Sequence, residues 1–163
     1  MKKKSTTKEL GIYKNKIHAA FYKNQNIREI ILGDTTQGMS ASQILKEFQK
    51  HVKSHLFIDD TITETDTFIY YDVVADSYDT STKNFKIIIY AICHRDILDG
   101  TFEKEGYYGN RSDILVQMVE ESLLDESVIN DFGIGELDID SVGLYNATRF
   151  YGHILTFKVP NFR

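Results

Sequence analysis

The 163-residue chain holds one cysteine, one proline and no tryptophan. With Cys93 alone no intrachain disulfide can form, and with Pro160 alone there is no proline-rich linker. No apolar run approaches the ~18 residues that a membrane span requires. The N-terminus MKKKSTTKEL has no apolar stretch behind its lysines, so a secretory signal is not expected. What is present is ordinary for a folded globule: 42% apolar, 26% charged and 12% aromatic residues, a balance that excludes a disordered chain or a collagen. The length suits a single domain, divided here into a flexible basic arm over 1–8, a helical part over 9–54 and a sheet with one more helix over 55–163.

The charge is small in sum and uneven in place. The chain carries −5, yet Lys2, Lys3, Lys4, Lys8, Lys14, Lys16, Lys23 and Arg28 meet only Glu9 in the first 28 residues. Between Asp59 and Asp79 there are seven acids and no base, and from Ser112 to Thr148 neither lysine nor arginine occurs. Such a body repels nucleic acid at long range, while its N-terminal arm is suited to phosphate or to an acidic neighbour. The plainer reading is a solvated helix face and a frayed terminus.

Periodicity gives the elements. Thr6 with Glu9 reads as a capping box, and Leu10, Tyr13, Ile17, Ala20 and Phe21 follow at helical spacing over 7–23. Asn26 is placed to cap a short helix bearing Ile27, Ile30 and Ile31, with Gly33 as its stop. Ser40 with Gln43 opens a third helix whose apolar face is Ile44, Leu45, Phe48 and Val52. The period then changes to that of strands at 68–75 and 84–94, the second read as covered on both faces, with a hairpin between them. A glycine-flanked loop over 96–109 leads to a helix capped by Asn110 with Asp113, its stripe being Leu115, Met118, Val119 and Leu123. Two more strands are expected, at 134–142 with Leu137 and Ile139 inward, and at 151–159. Helices followed by β-β-α-β-β predict an α+β fold, an antiparallel or mixed sheet with helices on one face.

The motifs that would carry chemistry fail on inspection. His94-Arg95-Asp96 and Asp131-Phe132-Gly133 spell kinase triplets, but the position five after Asp96 is Thr101, where a metal-binding asparagine is needed. His51 and His55 have the spacing of a two-histidine zinc site, yet Val52, Lys53 and Ser54 between them supply no general-base glutamate. Histidines at the surface near a helix end are the simpler account. Asp72 finds no acid-x-lysine on the following strand, which a metal-dependent nuclease would want. Cys93 sits in an apolar strand pattern, where a thiol is inert packing, and Gly133-Ile134-Gly135 precedes a strand rather than a helix. No enzyme activity and no cofactor or metal is expected.

Six segments, Leu56 to Thr61, Phe68 to Val74, Ile87 to His94, Gly109 to Leu115, Phe132 to Leu137 and Phe150 to His153, resemble in order and spacing small neck proteins of tailed bacteriophages from low-GC Gram-positive hosts. The layout looks like their tail-terminator family, over roughly two-thirds of the chain. The resemblance implies a non-enzymatic virion subunit, assembled in the host cytoplasm into a homohexameric ring that caps the tail tube and meets the head-side connector or stopper. DNA would pass such a ring without specific binding, and no membrane is involved. The expected contacts are Lys2, Lys3, Lys4 and Lys8 against the acidic cluster Asp59, Asp60, Glu64 and Asp66, together with the loop pair Tyr107 and Tyr108 and the adjoining Asn110 and Arg111. Another neck component, a stopper or head-completion protein, fits the same residues. So does a small acidic cytoplasmic binding or immunity module.

Overall fold

A computed structural model of the chain describes residues 5–59, 61–78, 82–128 and 137–162. Three helices come first: α1 (Thr6–Lys23), α2 (Gln25–Leu32) and α3 (Ala41–His51). Then follow β1 (Val52–Lys53), β2 (Thr67–Tyr78), β3 (Thr82–His94), α4 (Arg111–Leu124), β4 (Asp138–Asn146) and β5 (Phe150–Phe162). The five strands form one mixed sheet in the order β1-β2-β3-β5-β4, with β1 parallel to β2 and every other pair antiparallel. The expected α+β architecture with helices on one face is what the chain adopts.

Residues directly opposite in paired strands share a face, and the register shows which face the helices cover. Tyr71 lies opposite Ile89, which lies opposite Leu155, and Val73 continues through Ile87 to Phe157. These side chains are buried with Tyr13, Ile17 and Phe21 of α1, Ile27 and Ile30 of α2, Phe48 of α3 and Leu115, Met118, Val119 and Leu123 of α4. On the opposite face Phe68, Tyr70, Ile92 and Phe150 form a second, smaller cluster, covered by Leu56, Ile58 and Ile62 of the segment entering β2. Thus β3 is buried on its helix side along its length and on its other side only towards His94, since Ile88 and Tyr90 remain half-exposed.

Several local expectations shift. The residue before α1 is Ser5, with no side-chain cap, so Thr6 and Glu9 form no capping box. The cap of α2 is Asn24, whose side chain accepts from the Ile27 N–H at 3.1 Å, because α1 ends one residue before α2 begins and Asn26 already lies within the helix. The boxes Ser40/Gln43 and Asn110/Asp113 are both present, and Gly33 ends α2 with φ +52°. The third helix stops at His51, so His51 and His55 share no helix face. His51 is buried rather than superficial, its Nδ1 3.2 Å from the Thr67 carbonyl. The fourth strand as described spans Asp138–Asn146, the expected start at 134 lying outside the described residues, and Ile139, though on the helix side, is 41% exposed where burial was expected. The triplet Asp131-Phe132-Gly133, the Gly133-Ile134-Gly135 run and Glu136 lie outside the described residues, as do Lys2, Lys3, Lys4 and Asp60.

Candidate functional site

Arg111 is the most heavily engaged polar side chain of the loop region. From the first position of α4 it donates through Nε to Thr67 Oγ1 at 2.6 Å and through Nη2 to the Ile30 carbonyl at 2.5 Å. Its guanidinium also lies over the Phe102 ring, 5.5 Å from the centroid. One side chain thereby ties α4, β2, α2 and the preceding loop, and desolvation in this setting lowers its proton affinity from the usual guanidinium range. Asn110 is consumed by the α4 cap, accepting from Asp113 N–H at 3.0 Å. Asp113 in turn accepts from Asn110 N–H and stands 2.7 Å from His153 Nε2 on β5. Gly109 is needed here twice over. Its φ is +101°, and a Cβ would meet the Asp113 carboxylate at 2.4 Å.

The two tyrosines of the loop part company. The Tyr107 hydroxyl accepts from Asn26 Nδ2 at 3.0 Å and donates to Glu121 Oε2 at 2.5 Å, so that ring belongs to its own chain. Burial and then the Glu121 carboxylate push its proton affinity up. Tyr108 is 76% exposed, and only its backbone is held, by Gln117. Of the expected contact residues in this region, Tyr108 alone presents a free side chain, whereas Tyr107, Asn110 and Arg111 bind within the fold.

The charged candidates that the structure describes lie far apart along β2. Tyr13 packs on Phe85, which lies opposite Ala75, while Phe21 packs on Tyr71. The helix α1 therefore runs antiparallel to β2, with Lys8 beyond the Ala75 end. Asp66 precedes Thr67 at the other end, and Asp59 and Glu64 lie within electrostatic reach of Tyr70 on the sheet's opposite face, where burial, helped by these carboxylates, raises its proton affinity. Five residues of strand from Tyr70 to Ala75 at ~3.4 Å each, and five of helix from Tyr13 back to Lys8 at ~1.5 Å each, put roughly 25 Å between Lys8 and those acids, about three screening lengths at physiological salt. Lys8 and the acidic segment cannot neutralise each other within one chain. Asp59 accepts from the Thr61 N–H and hydroxyl, which hold its carboxyl below the usual carboxylate range. It remains exposed, as Glu64 does.

The sheet's two edges differ, and periodicity alone did not disclose it. The edge of β2 is blunted in three ways: β1 pairs with Ile69 and Tyr70, the Val73 N–H is taken by Asp72 Oδ1 at 2.8 Å, and the register slips between Ala75 and Ser77. Lys14 Nζ further pins Asp72 at 2.7 Å. The outer edge of β4 has one bulge, between Ile139 and Ser141, and then a regular ladder to Asn146. On its helix side Ile139, Val142 and Leu144 are 41%, 59% and 56% exposed, because α4 lies over β3 and β5 and the strand reaches beyond the helical layer. The signal in the sequence was the continuation of alternation through Val142 and Leu144 with no lysine or proline to guard it.

A cleft of about 730 Å³ between α1, α3 and the turn after β1 is lined by Lys14, His18, Leu45, Lys53, His55 and Tyr71 among others. Burial against Phe48 lowers the proton affinity of His18. The Cys93 thiol is buried and pushed up to about 11 by desolvation. Among the described residues no group of three or more His, Cys, Asp and Glu side chains could hold a metal ion, and no helix is long and apolar enough to cross a membrane.

The architecture and these surfaces define a small α+β protein whose most prominent feature is a sheet edge, at β4, that none of the described residues guards. The chain belongs to the YomW family, a phage-associated family whose model matches residues 14–159. No curated protein matches it.

Proposed function

We propose that this protein is a structural component of a phage neck, a ring-forming tail terminator that caps the tail tube and joins it to the head-side connector. Membership of a phage-associated family supports a phage role. The single structural observation in favour of assembly is the separation of the Lys8 end of α1 from the acidic segment beside Tyr70 on the opposite face of the sheet. Two charged surfaces too far apart to meet within a chain are available to neighbours, and a cyclic ring joins unlike surfaces of successive subunits. An acidic lining would let duplex DNA slide past, since phosphates are repelled by it.

Immunogold labelling of purified virions with an antibody to this chain, combined with deletion of its gene, tests the reading. Label at the head–tail junction, and unjoined heads with tails of irregular length in the deletion, are the expected results. Complete, infectious virions that lack the protein would refute it and would favour the small cytoplasmic binding module.

A further inference from the structure

We infer that two copies of this chain pair through β4, antiparallel and edge to edge, about a two-fold axis at Gly143. Natural sheets guard exposed edges with short strands, lysine, proline or bulges, and here the opposite edge is guarded while, among the described residues, β4 from Ser141 to Asn146 has no such guard. The occupant follows from the strand's own pattern. Residues facing each other across an antiparallel pair must share a face, so Val142 can stand opposite Val142 or Leu144, and an axis at Gly143 places Val142 against the second copy's Leu144. Both lie on the helix side and both are more than half exposed. Each apolar side chain thereby gains an apolar neighbour, twice by symmetry. On the other face the same axis sets Ser141, a small residue, opposite Tyr145.

Charge selects the same partner. The start of β4 carries Asp138 and Asp140, and Asp138 has no ion-pair partner among the described residues. At the other end of β4, Arg95 donates through Nη2 to Asn146 Oδ1, and the Arg95 N–H is held by the Arg149 carbonyl at 2.9 Å. The exposed Arg95 thus flanks one end of the strand, the Arg149 guanidinium being turned to the Ile62 carbonyl, and two aspartates flank the other, of which Asp140 is held by Lys158 at 3.0 Å and Lys86 at 4.0 Å. Antiparallel pairing about Gly143 brings Asp140 opposite the second copy's Asn146 and Asp138 beyond it, so that the acidic end of each strand meets the end that carries Arg95, at both ends of the joint. Parallel pairing would set acids against acids. A two-fold joint cannot close a cyclic ring by itself, so it stands apart from the neck reading and describes the subunit off the tail tube.

Sedimentation of the pure full-length protein over a dilution series is the test, with Val142→Lys and Asp138→Lys as variants at exposed positions and circular dichroism as the check on folding. The wild type should sediment as a dimer that dissociates on dilution. Val142→Lys should weaken the dimer roughly tenfold or more, and Asp138→Lys should weaken it at low salt and much less at high salt. As a check on register independent of stability, Val142→Cys mixed with Leu144→Cys should form the disulfide between unlike variants in preference to either with itself, with Cys93 too buried to compete. A monomeric wild type at every concentration, a dimer indifferent to Val142→Lys, or a larger ring formed without a dimer would overturn the proposal.

Discussion

The rings of Tyr90 on β3 and Tyr145 on β4 lie with centroids 5.3 Å apart, although β5 runs between their strands. They meet over Gly152, which is opposite Tyr145 on one side and Ile92 on the other. A Cβ on Gly152 would fall 2.1 Å from the Ala91 carbonyl oxygen and 2.8 Å from the Ile92 Cα, and backbone cannot give way as a side chain would. Gly152→Ala should therefore cost about 3 kcal/mol or more. Gly143→Ala, whose nearest contact is the Ile154 Cβ at 3.8 Å, should stay within about 1 kcal/mol. Urea denaturation of the two variants checks the contrast, and equal effects would contradict it.

Removal of the Arg111 guanidinium should be felt as lost stability rather than as lost binding. Arg111→Met keeps much of the stem and forfeits the hydrogen bonds to Thr67 and Ile30, at about 2–3 kcal/mol. Arg111→Lys should recover only part, because an ammonium cannot reach both partners as a planar fork does. A shift in the urea midpoint with an unchanged slope is the expected signature.

The tyrosine pair separates folding from contact. Tyr107→Phe loses the bonds to Asn26 and Glu121 and should cost about 1 kcal/mol. Tyr108→Ser should leave stability within about 0.5 kcal/mol yet weaken attachment to tail tubes in a pelleting assay if that exposed ring meets a neighbour. Pelleting unchanged by Tyr108→Ser would remove this residue from the contact surface.

Acid should weaken the fold partly through His18. Burial makes the folded state bind this proton less readily than the unfolded state, so stability is fully present above the unfolded value near ~6.5 and is lost as pH falls through it towards the lower folded value. His18→Gln should flatten the fall in melting temperature between about pH 7.5 and pH 5.5, compared with the wild type. An identical fall in both proteins would remove His18 from the acid response.

Deletion of residues 1–4 removes three lysines and leaves Lys8 in the first turns of α1. If these charges reach the acidic segment of a neighbour, attachment to tail tubes should weaken and its dependence on salt should flatten, since each exposed pair is worth only ~0–1 kcal/mol and several must act together. The same yield and the same salt response in the truncated protein would reduce the arm to a solvated tail.

What the sequence disclosed follows from where its rules are local. The Ser40/Gln43 and Asn110/Asp113 boxes depend on four adjacent residues, and both formed. The stripe Tyr13, Ile17, Ala20 and Phe21 depends only on helical period, and it is buried. Thr6/Glu9 had the same spacing but no box, because helical structure already begins at Thr6 and the side chain of Ser5 makes no cap bond. Alternation through Val142 and Leu144 without lysine or proline marked an apolar face, but not whether a helix lies over it, so the exposure of Ile139, Val142 and Leu144 was legible only in part. Arg111 was expected at a contact with a neighbour, and only the convergence of Thr67, Ile30 and Phe102 on its guanidinium shows it to be a tie within the fold.

The single residue between α1 and α2 gives the helical layer a mechanical property. Asn24 ends one helix, its N–H shared between the Ala20 and Phe21 carbonyls, and with its side chain starts the next. An elbow of one residue with both sides bonded has no slack. A pull on the start of α1 cannot be taken up by bending at Asn24, and passes instead into the sheet through Tyr13 and Phe85 and into α4 through the Ser122 hydroxyl on Ala20. Under load the three helices and the sheet would yield together or not at all, so single-molecule stretching from the N-terminus should record one rupture rather than a helix peeling away ahead of the rest.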